Sequence, residues 1–308
     1  MHNPPDPLGE TTPSRAAASL GRFQAIRLRR DGKKLPNKFN WGWGCGVASL
    51  LPVLAFLLYL FAPVRSNILI LGVDGGLDRG DLGRTDTIIL ATISPLAPKV
   101  GMLSIPRDLW VTQADGNENR INTAFFFAEA EQPGSGPKAT ERVIYQNFGV
   151  PAQYSIVLRM DGVVGMVDAL GGIEIALDSP SAGYAPGSHR LNGTQALAFA
   201  RNRSSADDFG RMLQAQILLG GIMREMLKPG VWTRLPAFFS ALQTAAQIDI
   251  PVWLWPRLGL AFLRAGPGGI DSRVISREMV TPFTTSGGAQ VLGPNWEKIN
   301  PVLEELFR

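Results

Sequence analysis

The stretch NILILGVDGG, residues 67–76, decides the fold. Apolar β-formers run from Ile68 to Val73, Asp74 closes the run and two glycines follow, the pattern of a short buried strand that delivers one acid to a turn. Two further runs of the same kind come next, TDTIILATI (85–93) and KVGMLSI (99–105), joined by the turn-like SPLAP at 94–98. Beyond them strand and helix patterns interleave. KATERVIYQNF (138–148) reads as a helix, YSIVL (154–158) as a strand, and DGVVGMVDALGG (161–172) as a helix capped by Asp161 and stopped at Gly171. IEIAL (173–177) is another strand.

TQALAFA (194–200) and RMLQAQILLGGIMREML (211–227) read as helices, the second with an apolar stripe of Met212, Ala215, Leu219, Ile222 and Met226 and a stop at Lys228, Pro229 and Gly230. PAFFSALQTAAQI (236–248) and VWLWPRLGLAFL (252–263) give two more helices, VISREMV (274–280) a closing strand and WEKINPVLEELF (296–307) a last helix. This order predicts an α/β/α sandwich with a central mixed sheet. There is no internal repeat and no second domain boundary in the folded part.

Upstream of that part, no charged residue occurs between Phe39 and Val64, and the window includes WGWGCGVASLLPVLAFLLYLF. It has the roughly 20 apolar residues that a membrane-crossing helix needs, Trp41, Trp43 and Tyr59 suit interfacial belts, and Arg22, Arg27, Arg29, Arg30, Lys33, Lys34 and Lys38 precede it. The positive-inside rule then keeps the basic tail in the cytoplasm and sends the rest across a single-pass anchor in the cytoplasmic membrane. A cleaved signal peptide fits less well, because the basic region is long and no A-x-A site follows. The expected division is a disordered basic tail at 1–38, a transmembrane anchor at 39–64 and an extracytoplasmic domain at 65–308. The single cysteine, Cys45, falls inside the apolar window, so an intramolecular disulfide is impossible.

The net charge of +4 belongs to the tail. Residues 1–40 carry eight Lys or Arg against three Asp or Glu, which leaves the remainder at −1. A nucleic-acid partner is therefore not expected, since the folded part has no excess charge to set against a phosphate backbone. With only His2 and His189 a Ser-His-Asp triad or a histidine zinc site is excluded, and no G-x-x-x-x-G-K-[ST] loop occurs.

What remains is a set of charges where strands and helices end. Asp74 closes the first strand, Arg84 and Asp86 open the second within GRTDTIIL (83–90), Arg107 and Asp108 follow the third, Arg201 and Arg203 leave the ALAFA helix, and Asp208 and Arg211 open the long one. If the second strand starts at Arg84, period-two alternation holds Arg84 and Asp86 side by side on one face. Arginines clamp phosphates in a bidentate way, and Mg²⁺ takes a few carboxylates together with phosphate oxygens. Converging arginines and aspartates make a diphosphate-and-metal constellation, placed at the strand ends where α/β sheets bind ligands.

These residues resemble the LytR-CpsA-Psr proteins of bacterial envelopes. The matching segments are NILILGVD, GRTDTIILATI, SIPRDLWV, RINTAF, VDALGGIEI, LNGTQALAFARNR and DDFGR, in the family's order, from about Asn67 to Lys228 with a weaker continuation to the C-terminus. The resemblance implies a membrane-anchored phosphotransferase that moves a glycopolymer from a polyprenyl-pyrophosphate carrier to peptidoglycan through a phosphodiester bond. It implies Asp74 and Asp86 as ligands of Mg²⁺ or Mn²⁺, and Arg84, Arg107, Arg201, Arg203 and Arg211 as the pyrophosphate clamp. Arg107, Arg203 and Arg211 are then also the catalytic arginines, and Asp108 orients an arginine or takes the acceptor's proton. The expected partners are a polyprenyl-pyrophosphate-linked glycan, a peptidoglycan acceptor and membrane lipid. A hydrolase of the same carrier-linked glycan, a non-catalytic lipid-binding or regulatory protein and a structural envelope protein are the competing readings. The chain departs from the pattern at Gln214-Ala215-Gln216, where relatives continue with an Arg-Gln pair, and at FFFAEAE (125–131) in place of a Tyr and Gly-Gly. Arg120-Ile121-Asn122 keeps the charge of the family's K-I-N element.

Overall fold

The computed structural model describes residues 41–74, 83–94, 99–202 and 208–308, with side chains from Leu50 onward and without that of Asp208. The basic tail, Gly75 and Gly76, most of SPLAP and Arg203 lie outside the described residues, and Cys45 is described by its backbone alone. The chain divides into Met1–Leu51 and Pro52–Arg308, and the second unit holds all the elements that matter for the site. Helix α1 runs Trp41–Phe61. Among the described residues no helix is long and apolar enough to cross a membrane.

A six-stranded sheet carries the domain. Its strands are β1 (Ser66–Asp74), β2 (Arg84–Ser94), β3 (Lys99–Ile105), β6 (Tyr154–Arg159), β9 (Ala246–Ile248) and β10 (Ile270–Val274), in the order β10-β3-β2-β1-β6-β9. β2 runs antiparallel to β1 and β3, β6 and β10 lie parallel to β1 and β3 respectively, and β9 is antiparallel to β6. The sheet is mixed, as expected, and the parallel strands β1, β3, β6 and β10 all end on one side. Three two-stranded ribbons complete the strands: β4 (Trp110–Thr112) with β5 (Glu118–Arg120), β7 (Ile173–Leu177) with β8 (Gly187–Leu191), and β11 (Val280–Thr284) with β12 (Gln290–Pro294).

Alternation along the strands separates two cores. Leu69, Leu71, Ile88, Leu90 and Leu103 face a layer of α2 (Thr123–Glu131), α3 (Gly136–Phe148) and α9 (Trp296–Phe307). Ile89, Ala91, Val100 and Met102 face α6 (Asp208–Met226) and α8 (Trp255–Ala265). A third cluster joins α4 (Gly162–Leu170), α5 (Gly193–Arg201), α7 (Leu235–Ala245) and the β7-β8 ribbon against α6. Helices on both faces of the sheet make the α/β/α sandwich. α6 lies between two clusters and is covered on most sides: of its expected stripe, Met212 and Ile222 are buried and Ala215, Leu219 and Met226 half-buried, but Leu218, Gln214 and Gln216 are buried as well.

Several local expectations need correction. VISREMV is not one strand: β10 ends at Val274, a 3₁₀ turn spans Arg277–Met279 and β11 starts at Val280. The helix over PAFFSALQTAAQI stops at Ala245, because Ala246–Ile248 pairs with β6 as the edge strand. α8 begins at Trp255 behind a 3₁₀ turn at Val252–Leu254. Asp161 occupies the N-cap of α4 without capping it through its side chain, and its carboxylate instead lies 3.6 Å from the Arg159 guanidinium. Gly171 does stop α4, in the left-handed conformation at φ 82° that glycine adopts without steric cost.

Arg273 ties the edge strand β10 to α9. Its guanidinium meets Asp271 at 3.0 Å and Glu305 at 2.6 Å, and its hydrogen bond holds the Glu305 carboxyl below the usual carboxylate range. A carboxyl lowered in the folded state contributes stability above its unfolded pKa, and that contribution disappears as pH falls through the folded value. Glu305→Gln is expected to be less stable than the parent at neutral pH, with the gap closing below about pH 4, near the ordinary glutamate pKa. Urea unfolding across pH checks this; a gap that persists in acid contradicts it.

Candidate active site

The site grows from the pairing of β1 with β2. The register runs evenly to Gly72 opposite Thr87, then shifts so that Val73 faces Thr85 and Asp74 faces Arg84. Asp86 is the residue passed over. A bulge of this kind takes one residue out of the ladder and re-aims its side chain. Gly72 fits the crossing because a Cβ there would lie 2.9 Å from the Thr87 Cβ.

The bulge corrects the expectation that Arg84 and Asp86 lie side by side. The Asp86 carboxylate meets the Arg107 Nη1 at 2.5 Å, whereas the Arg84 guanidinium lies over the Phe126 ring of α2, 5.4 Å from its centroid. Stacking leaves the edge of the exposed Arg84 fork free for an anion, which a tight carboxylate pair would occupy.

Arg107 and Asp108 follow β3 directly and begin a short charge chain. Asp86 meets Arg107, Arg107 Nε lies 3.4 Å from Asp108, and the other Asp108 oxygen lies 3.0 Å from Arg120 Nε at the end of β5. Arg120 also donates to the Gln290 carbonyl of β12 at 2.9 Å. On the far side of the β1-β2 pair, Arg201 at the end of α5 donates to Asp74 at 2.7 Å. Asn192 starts α5 with a reciprocal capping box with Gln195, which fixes the helix that delivers Arg201.

Thus Asp74, Arg84, Asp86, Arg107, Asp108 and Arg201 gather at the strand ends. Arg211 lies half-buried on the first turn of α6, two residues from Phe209. Phe209 and Asp108 line one open pocket together with Phe283, Thr284, Gln290 and Leu292, which brings the start of α6 alongside the charge chain. Arg203 lies outside the described residues. Sequence reasoning left out Arg120 and Phe126 as site residues. For Arg120 a signal existed in the preserved charge of Arg120-Ile121-Asn122; for Phe126 it was weaker, since the AFFF run at 124–127 reads equally as core packing or as the lining of a lipid channel, and α2 was not foreseen.

Five arginines here face three aspartates, so the described site carries excess positive charge. In chemical terms such an arrangement suits a multiply charged anion, because guanidinium forks pair with phosphate oxygens as well as with carboxylates.

The LytR_cpsA_psr family model matches residues 63–307. The chain belongs to the LytR_cpsA_psr family. The match covers the sheet, both helical layers and every described residue of the site. Over 191 residues the chain is 33% identical to the polyisoprenyl-teichoic acid--peptidoglycan teichoic acid transferase TagU of Oceanobacillus iheyensis, covering 60% of this chain and 58% of that relative's length. It is 27% identical over 254 residues to the regulatory protein MsrR of Staphylococcus aureus, 78% of this chain and 75% of that one. Among solved structures, B. subtilis TagV superposes with a TM-score of 0.65 at 22% identity, over 79% of this chain and 97% of TagV. TagT bound to LIIa-WTA superposes with a TM-score of 0.62 at 20% identity, over 79% and 89%. At these identities the two structures establish the fold alone.

Removing one charged donor from an anion clamp costs about 1.5–3 kcal/mol. Arg201→Gln is expected to weaken binding of inorganic pyrophosphate at least about tenfold on that scale, measured by calorimetry on the full chain in detergent. An unchanged affinity places the anion elsewhere.

Proposed function

We propose that this protein is a membrane-anchored, Mg²⁺-dependent phosphotransferase that moves a glycopolymer from a polyprenyl-pyrophosphate carrier to peptidoglycan. The observation that carries the reading is the cluster of arginines and aspartates at the strand ends, in a chain of this family. The name of one relative supports it: TagU is a polyisoprenyl-teichoic acid--peptidoglycan teichoic acid transferase. The charge-free window at 39–64 and the basic tail before it support the single anchor, with the folded domain outside the cytoplasmic membrane.

In the proposed reaction an acceptor hydroxyl oxygen attacks the phosphorus that bears the glycan. A new P–O bond forms, the bond to the bridging oxygen breaks, polyprenyl phosphate leaves with the bridging oxygen, and the hydroxyl proton passes to a carboxylate or water. Arg84, Arg107, Arg201 and Arg211 hold the two phosphates and stabilise charge on the equatorial and bridging oxygens. Arg203 joins them by sequence position. Asp108 is shared between Arg107 and Arg120, so its main task is to aim Arg107, and the pocket it borders gives the acceptor an approach to the phosphates.

Asp74 and Asp86 fit a hard cation. Among the described residues no group of three or more His, Cys, Asp or Glu is placed to hold a metal. Mg²⁺ characteristically takes one or two carboxylates and completes its shell with waters and substrate phosphates. Asp74 and Asp86 would hold such an ion, and it would supply charge neutralisation at the phosphates. The two aspartates are half-open to solvent and paired with arginines that the phosphates themselves attract.

The test mixes the full chain with a short glycan-pyrophosphate-polyprenol, a peptidoglycan fragment and Mg²⁺, followed by mass spectrometry. The expected product is a phosphodiester-linked adduct. Asp86→Asn is expected to lower its rate on the order of 10²–10³-fold, the usual cost of losing one preorganised electrostatic group. Glycan phosphate without adduct identifies a hydrolase, and lipid binding without product, unaffected by the substitution, identifies a binding protein.

A further inference from the structure

The end of the domain opposite the arginines carries an apolar surface unrelated to the charged site. β1 begins at Ser66, five residues after α1 ends at Phe61. Everything that meets the start of β1 therefore lies beside the exit of α1. β6 starts at this end, because Tyr154 pairs with Ile68, and its antiparallel partner β9 finishes here at Ile248. The chain then turns through Pro251 into Val252–Leu254 and α8.

Two of the most exposed apolar side chains of the molecule sit in that turn. Val252 is 79% exposed and Trp253 69%, and Leu263 on α8 is 51% exposed. Leu254 between them points inward at 7%. A solvent-facing turn rarely sets a valine and a tryptophan side by side without a partner.

The same segment is fastened to the α1 exit. Arg257 of α8 is 94% buried and donates to the carbonyls of Ala62, at 3.0 Å, and Val64. The Arg264 guanidinium lies 5.3 Å from the centroid of the Phe61 ring, and the Tyr59 hydroxyl donates to the Trp253 carbonyl. From the other side, Arg65 donates to the carbonyls of Leu306 at 2.7 Å and Arg308 at 2.9 Å. Both bonds of Arg257 come from its Nη2, which ties the exit peptide to α8.

We propose that Val252, Trp253 and Leu263 form a second foothold of the domain on the bilayer, seated in the lipid headgroup zone beside the anchor. The inference rests on the reading of residues 39–64 as a membrane anchor. A lipid surface is the occupant because the patch is continuous with the exit of that helix and carries a tryptophan, which settles at the boundary between apolar and wet phases, together with arginine, which meets anionic headgroups. Its consequence is positional. β1 spans nine residues from exit to Asp74, roughly 26 Å at 3.3 Å per step, so a foothold that fixes the tilt also fixes the height of the arginines above the membrane.

The test uses the full chain in nanodiscs of phosphatidylglycerol and phosphatidylethanolamine, with Cys45→Ser as background and single nitroxide labels at Val252→Cys, Trp253→Cys, Leu54→Cys and Asp161→Cys. Asp161, exposed beyond the opposite end of β6, is the aqueous reference. Power-saturation EPR compares collisions with oxygen, which concentrates in lipid, and with a water-soluble nickel chelate. The expected result is a several-fold excess of oxygen over nickel collisions at 252 and 253 relative to 161. A label at 54 in lipid with 252 and 253 as aqueous as 161 overturns the foothold and leaves the anchor standing. Aqueous behaviour at 54 as well overturns both. Labels at 252 and 253 shielded from both reagents and dipolar-coupled to another copy show a protein interface instead, and likewise overturn the proposal.

Discussion

The antiparallel ladder between β1 and β2, with its slip at Asp86, is the constraint on which the rest depends. It places the central strands of the sheet side by side and determines which apolar side chains face α2, α3 and α9 and which face α6 and α8. An even register to the end of the strand would leave Asp86 within the ladder. Passing over that one residue instead directs its carboxylate to Arg107 on β3's exit and opposes Asp74 to Arg84. The core and the site are two consequences of one pairing.

The arginines and aspartates exert opposite demands. Guanidiniums gathered this closely repel one another, so three aspartates hold them in place, and each such pair near a solvent-exposed rim contributes at most about 1 kcal/mol. Weak pairs suit a binding site. A stronger, buried pair would cost several kcal/mol to open, whereas Asp74 with Arg201 and Asp86 with Arg107 sit partly in water, where opening costs little. Asp108 differs, because two arginines share it and Arg120 is also tied to β12. That chain transmits the position of the β11-β12 ribbon to Arg107, so a ribbon remote in sequence shapes the anion site.

Much of this was legible in the sequence, and the reason differs by element. Central strands are buried on both faces, so NILILGV and TIILATI declare themselves as apolar runs. Charges at their ends show where the sheet opens. Short elements fared worse: β4 and β5 have three residues each, too few for alternation to register, and Ala246–Ile248 is a strand only because β6 offers it an edge. α2 escaped because FFFAEAE has no clean amphipathic stripe. The bulge at Asp86 is invisible in the chain as written, since an i, i+2 relation implies a shared face only where the ladder is unbroken. Ala215 departs from the family's pattern on a helix that is covered on most sides, where Gln216 donates to the Arg273 carbonyl, a structural contact with β10.

The polarity of the sheet has a functional side as well. Parallel strands β1, β3, β6 and β10 end together, which collects Asp74, Arg107 and their neighbours at one pole, while the start of β1 collects Arg65, Arg257 and the α1 exit at the other. A rigid sheet of this kind is a spacer of fixed length, because its backbone ladders permit little extension. Under the proposed function, a carrier lipid whose headgroup is to reach the arginines would need a chain long enough to leave the bilayer in part, or the domain would have to lie over on its side. In the proposed foothold the exposed Val252 and Trp253 would set how far such a tilt goes. Chain length of the carrier and tilt of the domain are therefore linked quantities: what the sheet fixes in length, the surface at its foot adjusts in angle.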